Sequence, residues 1–155
     1  MSVLALHKKF QKLPFGNWLF SRVVCFKAPY FGTVSPVLHS MEPGRAEVRF
    51  RRRRRVQNHI GTVHVIAICN GLEMAMGMVA EASIPKHLRW LPKRMAVDYP
   101  AKSETIRIRA IATVDPASFQ KDTEVPIRVQ ALRDDDTVVV DGTITLWVTE
   151  KPQRA

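Results

Sequence analysis

The stretch GTVHVIAICNGLEMAMGMVA, residues 61–80, decides the fold of this chain. It is apolar almost all round, Glu73 is its one charged residue, and Pro85 follows shortly after it. A helix with this pattern has to be enclosed by other elements on most of its sides. Its length would also suit a membrane span, but His64, Asn70 and Glu73 are costly in lipid. The pattern therefore predicts a buried core helix, and we expect no membrane span.

The sequence on either side of this helix predicts an antiparallel sheet. A strand from Arg45 to about Arg53 precedes the helix. Four runs rich in β-branched residues follow it, over residues 94–99, 104–114, 124–133 and 137–150, with a hairpin turn at Asp134-Asp135-Asp136. Apolar and polar residues alternate in the second and third runs, which gives the sheet one apolar face. The predicted fold class is α+β, an antiparallel sheet wrapped around one central apolar helix.

The N-terminal region has a different character. Residues 2–12 and 17–27 predict two short helices, separated by the helix-breaking segment Leu13-Pro14-Phe15-Gly16, with extended chain and turns after the second. Internal repeats and low-complexity linkers are absent from the sequence. We therefore predict one domain over residues 36–150, an N-terminal helical extension over 1–35 packed on it, and a tail over 151–155.

The charge of the chain suggests an anionic ligand. The 155 residues carry a formal net charge of +10, which would attract the phosphates of a nucleotide, a nucleic acid or a membrane surface. The run Arg51–Arg55 is either a solvated strand edge or a cradle for phosphates. Nucleic-acid surfaces usually interleave aromatic residues with the basic ones, and only Phe50 adjoins this run. We therefore expect no nucleic-acid partner.

The cysteines give no sign of a metal site or a disulfide framework. Cys25 and Cys69 form no CxxC pair and have no zinc-like spacing from histidines. Basic residues interrupt the N-terminal apolar stretch, so it does not resemble a signal peptide. A cytoplasmic location is the expectation.

Residues 58–64, Asn-His-Ile-Gly-Thr-Val-His, carry a resemblance to a known family. They resemble the hotdog-fold acyl-CoA thioesterases of the phenylacetate-pathway type, which place an Asn, a Gly three residues later and a His three further at the entry to the central helix. A catalytic Asp or Glu follows nine residues after that His, and here the position is Glu73. Residues 95–102, MAVDYPAK, resemble the next strand of that group. The resemblance covers about residues 36–150 and implies a hotdog fold, while the leading helices resemble an uncharacterised bacterial branch of the superfamily.

The resemblance implies a site for hydrolysis of an acyl thioester, carried by coenzyme A or an acyl carrier protein. Glu73 would activate water as a general base or attack the carbonyl directly. The N–H of Val65, at the positive end of the helix, would hold the thioester oxygen together with the Asn58 side-chain amide. His64 is a further candidate for a direct chemical role. Coenzyme A would enter as part of the substrate, without a separate cofactor, and its phosphates would bind Arg53, Arg55, Arg94 and Lys102.

The spacing along the helix predicts a homodimer. Glu73 lies about eleven residues into the predicted helix, roughly 16 Å from its N-terminal donors. His64 and Glu73 are nine residues apart, which places them on opposite faces. One chain cannot bring both groups to one carbonyl, whereas a two-fold dimer can. The resemblance implies the same, since hotdog active sites lie at the subunit interface; a dimer of dimers stays open.

Other interpretations of these residues remain. Val65-Ile66 stands where the thioesterases usually have two glycines, which favours a non-catalytic protein that only binds an acyl carrier. A 3-hydroxyacyl thioester dehydratase would instead use His59 and Glu73, fourteen residues apart. Glu73 could also be a buried structural acid, Asn58 a cap or turn residue, and His64 a packed histidine of the first turn.

Overall fold

The apolar segment forms the longest helix, α3 (Val65–Ser83), in a computed structural model that describes residues 2–152. Most of its residues are buried, so a helix long and apolar enough to cross a membrane serves here as the core of the domain. It begins later than its apolar pattern, because residues 58–63 form a turn in which Gly61 has a φ of +80°. It ends before Pro85, which restricts Ile84 to an extended conformation.

Six strands form one antiparallel sheet around α3: β1 (Val37–Glu42), β2 (Arg45–Arg51), β3 (Leu88–Asp98), β4 (Arg107–Thr113), β5 (Thr123–Leu132) and β6 (Val138–Glu150). Their order in the sheet is β1-β2-β4-β5-β6-β3. Alternate side chains of β2, β4, β5 and β6 point to the helix and are fully buried, among them Val48, Ile108, Ile127 and Ile144. The predicted α+β class, with one apolar sheet face closed over one helix, is confirmed.

Two strand assignments differ from the sequence prediction. The region of β1 was expected only as extended chain and turns, but it is a short edge strand. An irregularity between Leu38 and Ser40 interrupts the alternation of buried and exposed residues along it. β3 begins at Leu88 rather than at residue 94, and a bulge follows Pro92. Proline is tolerated on an edge strand because its missing N–H can face away from the neighbouring strand. The hairpin turn at Asp134–Asp136 is confirmed, with the N–H of Arg133 bonded to the carbonyl of Thr137 at 2.9 Å.

The N-terminal extension consists of α1 (Val3–Phe10), α2 (Gly16–Lys27) and a 3-10 turn (Pro29–Thr33). The chain reverses between the two helices at Phe15, which has a φ of +56°. A Cβ on Gly16 would lie 1.8 Å from the carbonyl oxygen of Phe10, so only glycine fits this turn. α1 packs against α3, β1 and α2, and α2 packs against β1. The predicted tail, residues 151–155, is described only to Pro152; its last three residues lie outside the described range.

Candidate functional site

Asn58 organises the loop that leads into α3. Its Oδ1 accepts hydrogen bonds from the N–H groups of Ile60 (3.2 Å) and Thr62 (3.0 Å), and its Nδ2 donates to Thr62 Oγ1 (2.8 Å). The N–H of His64 then donates to the carbonyl of Val56 at 2.7 Å. These bonds hold the loop in one conformation. Asn58 is therefore the turn residue before the helix, and its amide group is engaged within the loop.

His64 is the N-cap of α3. Its ring Nδ1 accepts the N–H of Ile66 at 3.1 Å, so the exposed ring satisfies one of the free donors of the first turn. The expected packing of this histidine within the first turn is wrong, because the residue lies just outside the helix with an extended backbone. The neighbouring N–H of Val65 has no acceptor within residues 2–152. It is thus available to an external oxygen.

A pocket of about 500 Å³ lies at this end of α3. Its walls are the Asn58 loop, the first residues of α3, and the segment Tyr99–Ser103 that follows β3. Buried Ser103 ties the two walls together, since its hydroxyl donates to the carbonyl of Val63 at 2.5 Å. Lys102 is exposed at the rim. Asn58, His64, Val65 and Lys102 are therefore brought together around one pocket.

Glu73 lines a different cavity, of about 430 Å³. The carboxylate is half-buried on the face of α3 that packs toward the N-terminal extension, and most of the other lining side chains are apolar. Glu73 is eight residues beyond Val65, which corresponds to about 12 Å along the helix axis. The distance predicted from the sequence, about 16 Å, is longer because α3 begins only at Val65. Within one subunit, the N-terminal donors and Glu73 line separate cavities.

The expected phosphate ligands are distributed rather than clustered. Arg55 borders a smaller pocket of about 270 Å³ next to His64, close to the N-terminus of α3. Arg53 is exposed in the same segment, which connects β2 to α3. Within residues 2–152, the side chains of Arg51–Arg55 form no ion pair, so their charge is uncompensated. Arg94, by contrast, lies in the middle of the edge strand β3, away from the arginine run.

Several residues of the site were missed by the sequence analysis. Thr62 and Ser103 are buried polar residues that fix the pocket walls, but isolated hydroxyl residues carry no sequence signal. Trp90 borders the Glu73 cavity, and its indole Nε1 donates to Glu81 Oε1 at 3.0 Å. Glu81 lies eight residues after Glu73, two turns along α3 and about 80° round it, and this spacing could have indicated a neighbour on the same side of the helix.

The two cysteines favour the neutral thiol form. Cys25 lies in α2 and Cys69 lies one turn before Glu73; both are buried, and burial raises the pKa of each thiol. Within the described part of the chain, no three His, Cys, Asp or Glu side chains are grouped closely enough to hold a metal ion.

Several solved structures share this architecture over most of the chain. A crystallised genomics target shares 38% sequence identity, covering 96% of this chain and 99% of that chain with a TM-score of 0.83. A thioesterase family protein from Silicibacter pomeroyi shares 20% identity, covering 84% and 96% with a TM-score of 0.71. A Pseudomonas aeruginosa protein of unknown function, titled a probable thioesterase, shares 17% identity, covering 90% and 97% with a TM-score of 0.75. No curated protein matches the sequence.

The single sheet wrapped around α3 is the hotdog fold, which these neighbours share. Residues 16–148 match the model of a domain of unknown function, DUF4442, and the chain belongs to that family. The matched region begins at the first residue of α2. Part of the N-terminal extension is thus included in what the family shares.

Proposed function

We propose that this protein is an acyl-CoA thioesterase whose two active sites each combine residues of two subunits. The observation that carries the proposal is the position of the two cavities relative to the edge strand β3. The Glu73 cavity borders Trp90 and Pro92, near the start of β3. The pocket at the α3 N-terminus borders Tyr99–Ser103, just beyond the end of β3.

Antiparallel pairing of two copies of β3 would join these half-sites. Such pairing sets the start of one strand against the end of the other. The Glu73 cavity of each subunit would then face the α3 N-terminus of its partner. β3 offers a free edge for this pairing, since it bonds only to β6 within residues 2–152 and leaves Leu91 62% exposed. An interface of this kind is isologous and yields a closed homodimer.

In the proposed reaction, Glu73 acts as a general base on water. Its carboxylate takes a proton while the water oxygen bonds to the thioester carbon, and the carbonyl electron pair moves to the oxygen. The free N–H of the partner's Val65 stabilises this oxyanion. Collapse restores the carbonyl and breaks the C–S bond, and the departing thiolate takes the proton from Glu73. Direct attack by Glu73, through a mixed anhydride, is the variant of the same scheme.

The basic residues near the α3 N-terminus support a nucleotide-bearing carrier. Arg55 and Lys102 border two neighbouring pockets at this end of the helix, and Arg53 extends the same positive region. Guanidinium groups suit bidentate binding of phosphate. We propose that these three residues bind the phosphates of coenzyme A. Arg94 would contribute only if dimer formation brings β3 of one subunit toward this region of the other.

The test is thiol release from a panel of acyl-CoA substrates by Glu73→Gln. General-base catalysis is worth about 100-fold to 10,000-fold, so kcat should fall by that factor while substrate still binds. Glu81→Gln is the matched control, since it removes a second carboxylate from the same helix and cavity, and it should retain turnover. If the wild type hydrolyses no member of a broad panel, or if Glu73→Gln is as active as the wild type, the proposal fails.

A binding-only function is favoured by one observation. Ile66, in place of a glycine, leaves a side chain 54% exposed at the start of α3, where a thioester would have to approach. Tight binding of an acyl-CoA, unchanged by Glu73→Gln and without hydrolysis, would identify this function. Formation of a 2-enoyl thioester without thiol release would instead indicate a dehydratase that uses His59 and Glu73, which line separate cavities within one subunit.

A further inference from the structure

The cavity at Glu73 is closed by the N-terminal extension rather than by the sheet alone. One wall is α3 itself, and a second is formed by Trp90 and Pro92 of β3. The remaining wall comes from the extension, with Leu6 of α1, Val24 of α2 and Phe31 of the 3-10 turn. The extension is therefore part of the site and not an appendage.

The polar groups of this cavity occupy defined positions. Glu73 lies in the middle of α3, and Glu81 lies two turns further on, about 12 Å along the axis. Glu81 is engaged by the indole N–H of Trp90 at 3.0 Å. Lys27, exposed at the end of α2, also borders the cavity, and the wall between the two carboxylates is mostly hydrocarbon. The carboxylates would repel the phosphates of a nucleotide. An extended aliphatic chain fits this arrangement better than a polar or anionic group.

We propose that the N-terminal extension determines acyl-chain length by forming the far wall of this chamber. The inference rests on the proposed function, because it places the thioester carbonyl at Glu73. The aliphatic chain runs from there between α3 and the extension toward Trp90. A volume of about 430 Å³ is within the range of small-ligand pockets, and α3 is apolar along this path between Glu73 and Glu81. The substrate class is therefore an unbranched acyl thioester that fills the chamber.

Gly77 provides a way to shorten the chamber without disturbing the core. It lies one turn beyond Glu73, and a Cβ there would be 3.5 Å from Trp90 Cη2, an ordinary contact. The side chain in Gly77→Val therefore extends into the chamber toward the Trp90 ring and meets no backbone atom at its Cβ. Val24→Ala has the opposite effect, because it removes two methyl groups from the wall supplied by the extension.

The experiment is a chain-length profile of kcat/KM, from butyryl-CoA through hexanoyl- and decanoyl-CoA to palmitoyl-CoA. Gly77→Val should leave the shortest substrate unchanged and reduce the longer ones by about fourfold for each methylene displaced. Val24→Ala should move the optimum toward longer chains. Ala82→Val, on the same helix and away from the cavity, should keep the wild-type profile. Unchanged profiles in both folded variants would overturn the inference.

A binding measurement separates this inference from the proposed hydrolysis. In Glu73→Gln, titration with decanoyl-CoA followed by Trp90 fluorescence, with Trp18 and Trp147 replaced by Phe, reports entry of the chain into the chamber. Saturable quenching that Gly77→Val abolishes supports the chamber even if no thioester is ever hydrolysed. Hydrolysis that depends on Glu73 while Gly77→Val changes neither the profile nor the quenching would reject the chamber and retain the thioesterase.

Discussion

At the scale of single residues, the entry to α3 combines structural and chemical requirements in adjacent positions. His64 caps the helix through its ring nitrogen, and Asn58 closes the preceding turn. Both therefore have roles that would exist without a substrate. Val65 differs, because its N–H group is left free by these arrangements. In the proposed reaction, the oxyanion donor therefore belongs to the backbone and not to either polar side chain.

Val65→Pro tests this donor directly. Val65 is the first residue of α3, where proline is favoured and its missing N–H breaks no helical bond. His64 already has the extended backbone that a following proline requires, with ψ at 134°. We expect a folded protein whose kcat falls by about 100-fold to 1,000-fold, the usual effect of losing one oxyanion donor. Circular dichroism and steady-state kinetics measure both, and Val65→Ala, which keeps the N–H, should remain active.

Two glycines of α3 offer a matched pair for core packing. A Cβ on Gly71 would approach Phe50 Cε1 to 2.6 Å, inside the buried contact between α3 and β2. Gly71→Ala should therefore lower the free energy of unfolding by about 1–3 kcal/mol through overpacking. Gly77→Ala meets no such contact and should be neutral or slightly stabilising, since alanine favours the helix by about 1 kcal/mol. Urea unfolding measures the free energy of unfolding of both variants. A Gly77→Ala variant less stable than Gly71→Ala would contradict the prediction.

The sequence proposed candidate site residues but not their arrangement. Glu73 was chosen from its spacing to His64, and it lines a mostly apolar cavity, while its catalytic role stays a prediction. The hydrogen bond from the Asn58 amide to Thr62 could not be predicted, because nothing in the sequence shows that the two side chains meet. Ser103 lies forty residues from Val63, so their hydrogen bond depends on the tertiary fold. Long-range polar contacts of this kind have no local pattern.

At the scale of elements, the central helix and the later strands could be predicted because their periodicity is strong. α3 was located within four residues at each end, and its start was displaced by the Asn58 turn. β1 and the first half of β3 were not predicted, since edge strands tolerate proline and bulges that break the alternation. The packing of α1 and α2 onto the Glu73 cavity could not be predicted, because it depends on the reversal at Phe15 and Gly16.

The docking of α1 contains a buried titratable group. His7 is fully buried against Phe20, and its Nε2 bonds to Asn17 Oδ1 at 3.0 Å. Its Nδ1 is buried without a partner among the described residues. Burial lowers the pKa of this histidine below its ordinary value of about 6.5. The neutral ring is thus the form that the folded extension accepts.

Acidification should therefore loosen the N-terminal extension. Because the unfolded chain binds this proton more readily than the folded one, the contribution of His7 is complete above about pH 6.5 and is lost as the pH falls toward the lowered pKa. The slope from one proton is at most about 1.4 kcal/mol per pH unit. Hydrogen exchange of α1 amides between about pH 7.5 and pH 5.5 measures it. His7→Leu should flatten the pH dependence of the stability of the extension. Substitution of the exposed His39 by Gln should leave this pH dependence unchanged. Equal slopes in the two variants would contradict the assignment to His7.

At the scale of the whole molecule, the proposed dimer is the feature on which catalysis depends. The two cavities border opposite ends of β3, so in the proposed mechanism each subunit alone would hold an incomplete site. This arrangement makes subunits with different defects complementary. Glu73→Gln removes the base and keeps the donor, whereas Val65→Pro removes the donor and keeps the base.

Mixing these two inactive variants should restore activity. After random subunit exchange, half of the dimers are mixed and each has one intact site, which gives about a quarter of the wild-type activity per subunit. Kinetics after co-refolding measure the recovery, and light scattering measures the dimer. Each variant mixed with itself is the control. If the mixture stays as inactive as its components, the site lies within one subunit.

The irregularities of the two edge strands have a consequence for polymerisation. A sheet with two regular free edges can add copies head to tail without limit, as in fibres. Here β1 is broken between Leu38 and Ser40, and β3 carries Pro92 and a bulge beside the charges of Lys93 and Arg94. The irregularity of β1 disfavours its pairing with β3 of another copy, and the features of β3 limit any pairing of that edge to a short stretch. In the proposed dimer, β3 pairs with its own copy, and this two-fold contact closes without forming filaments.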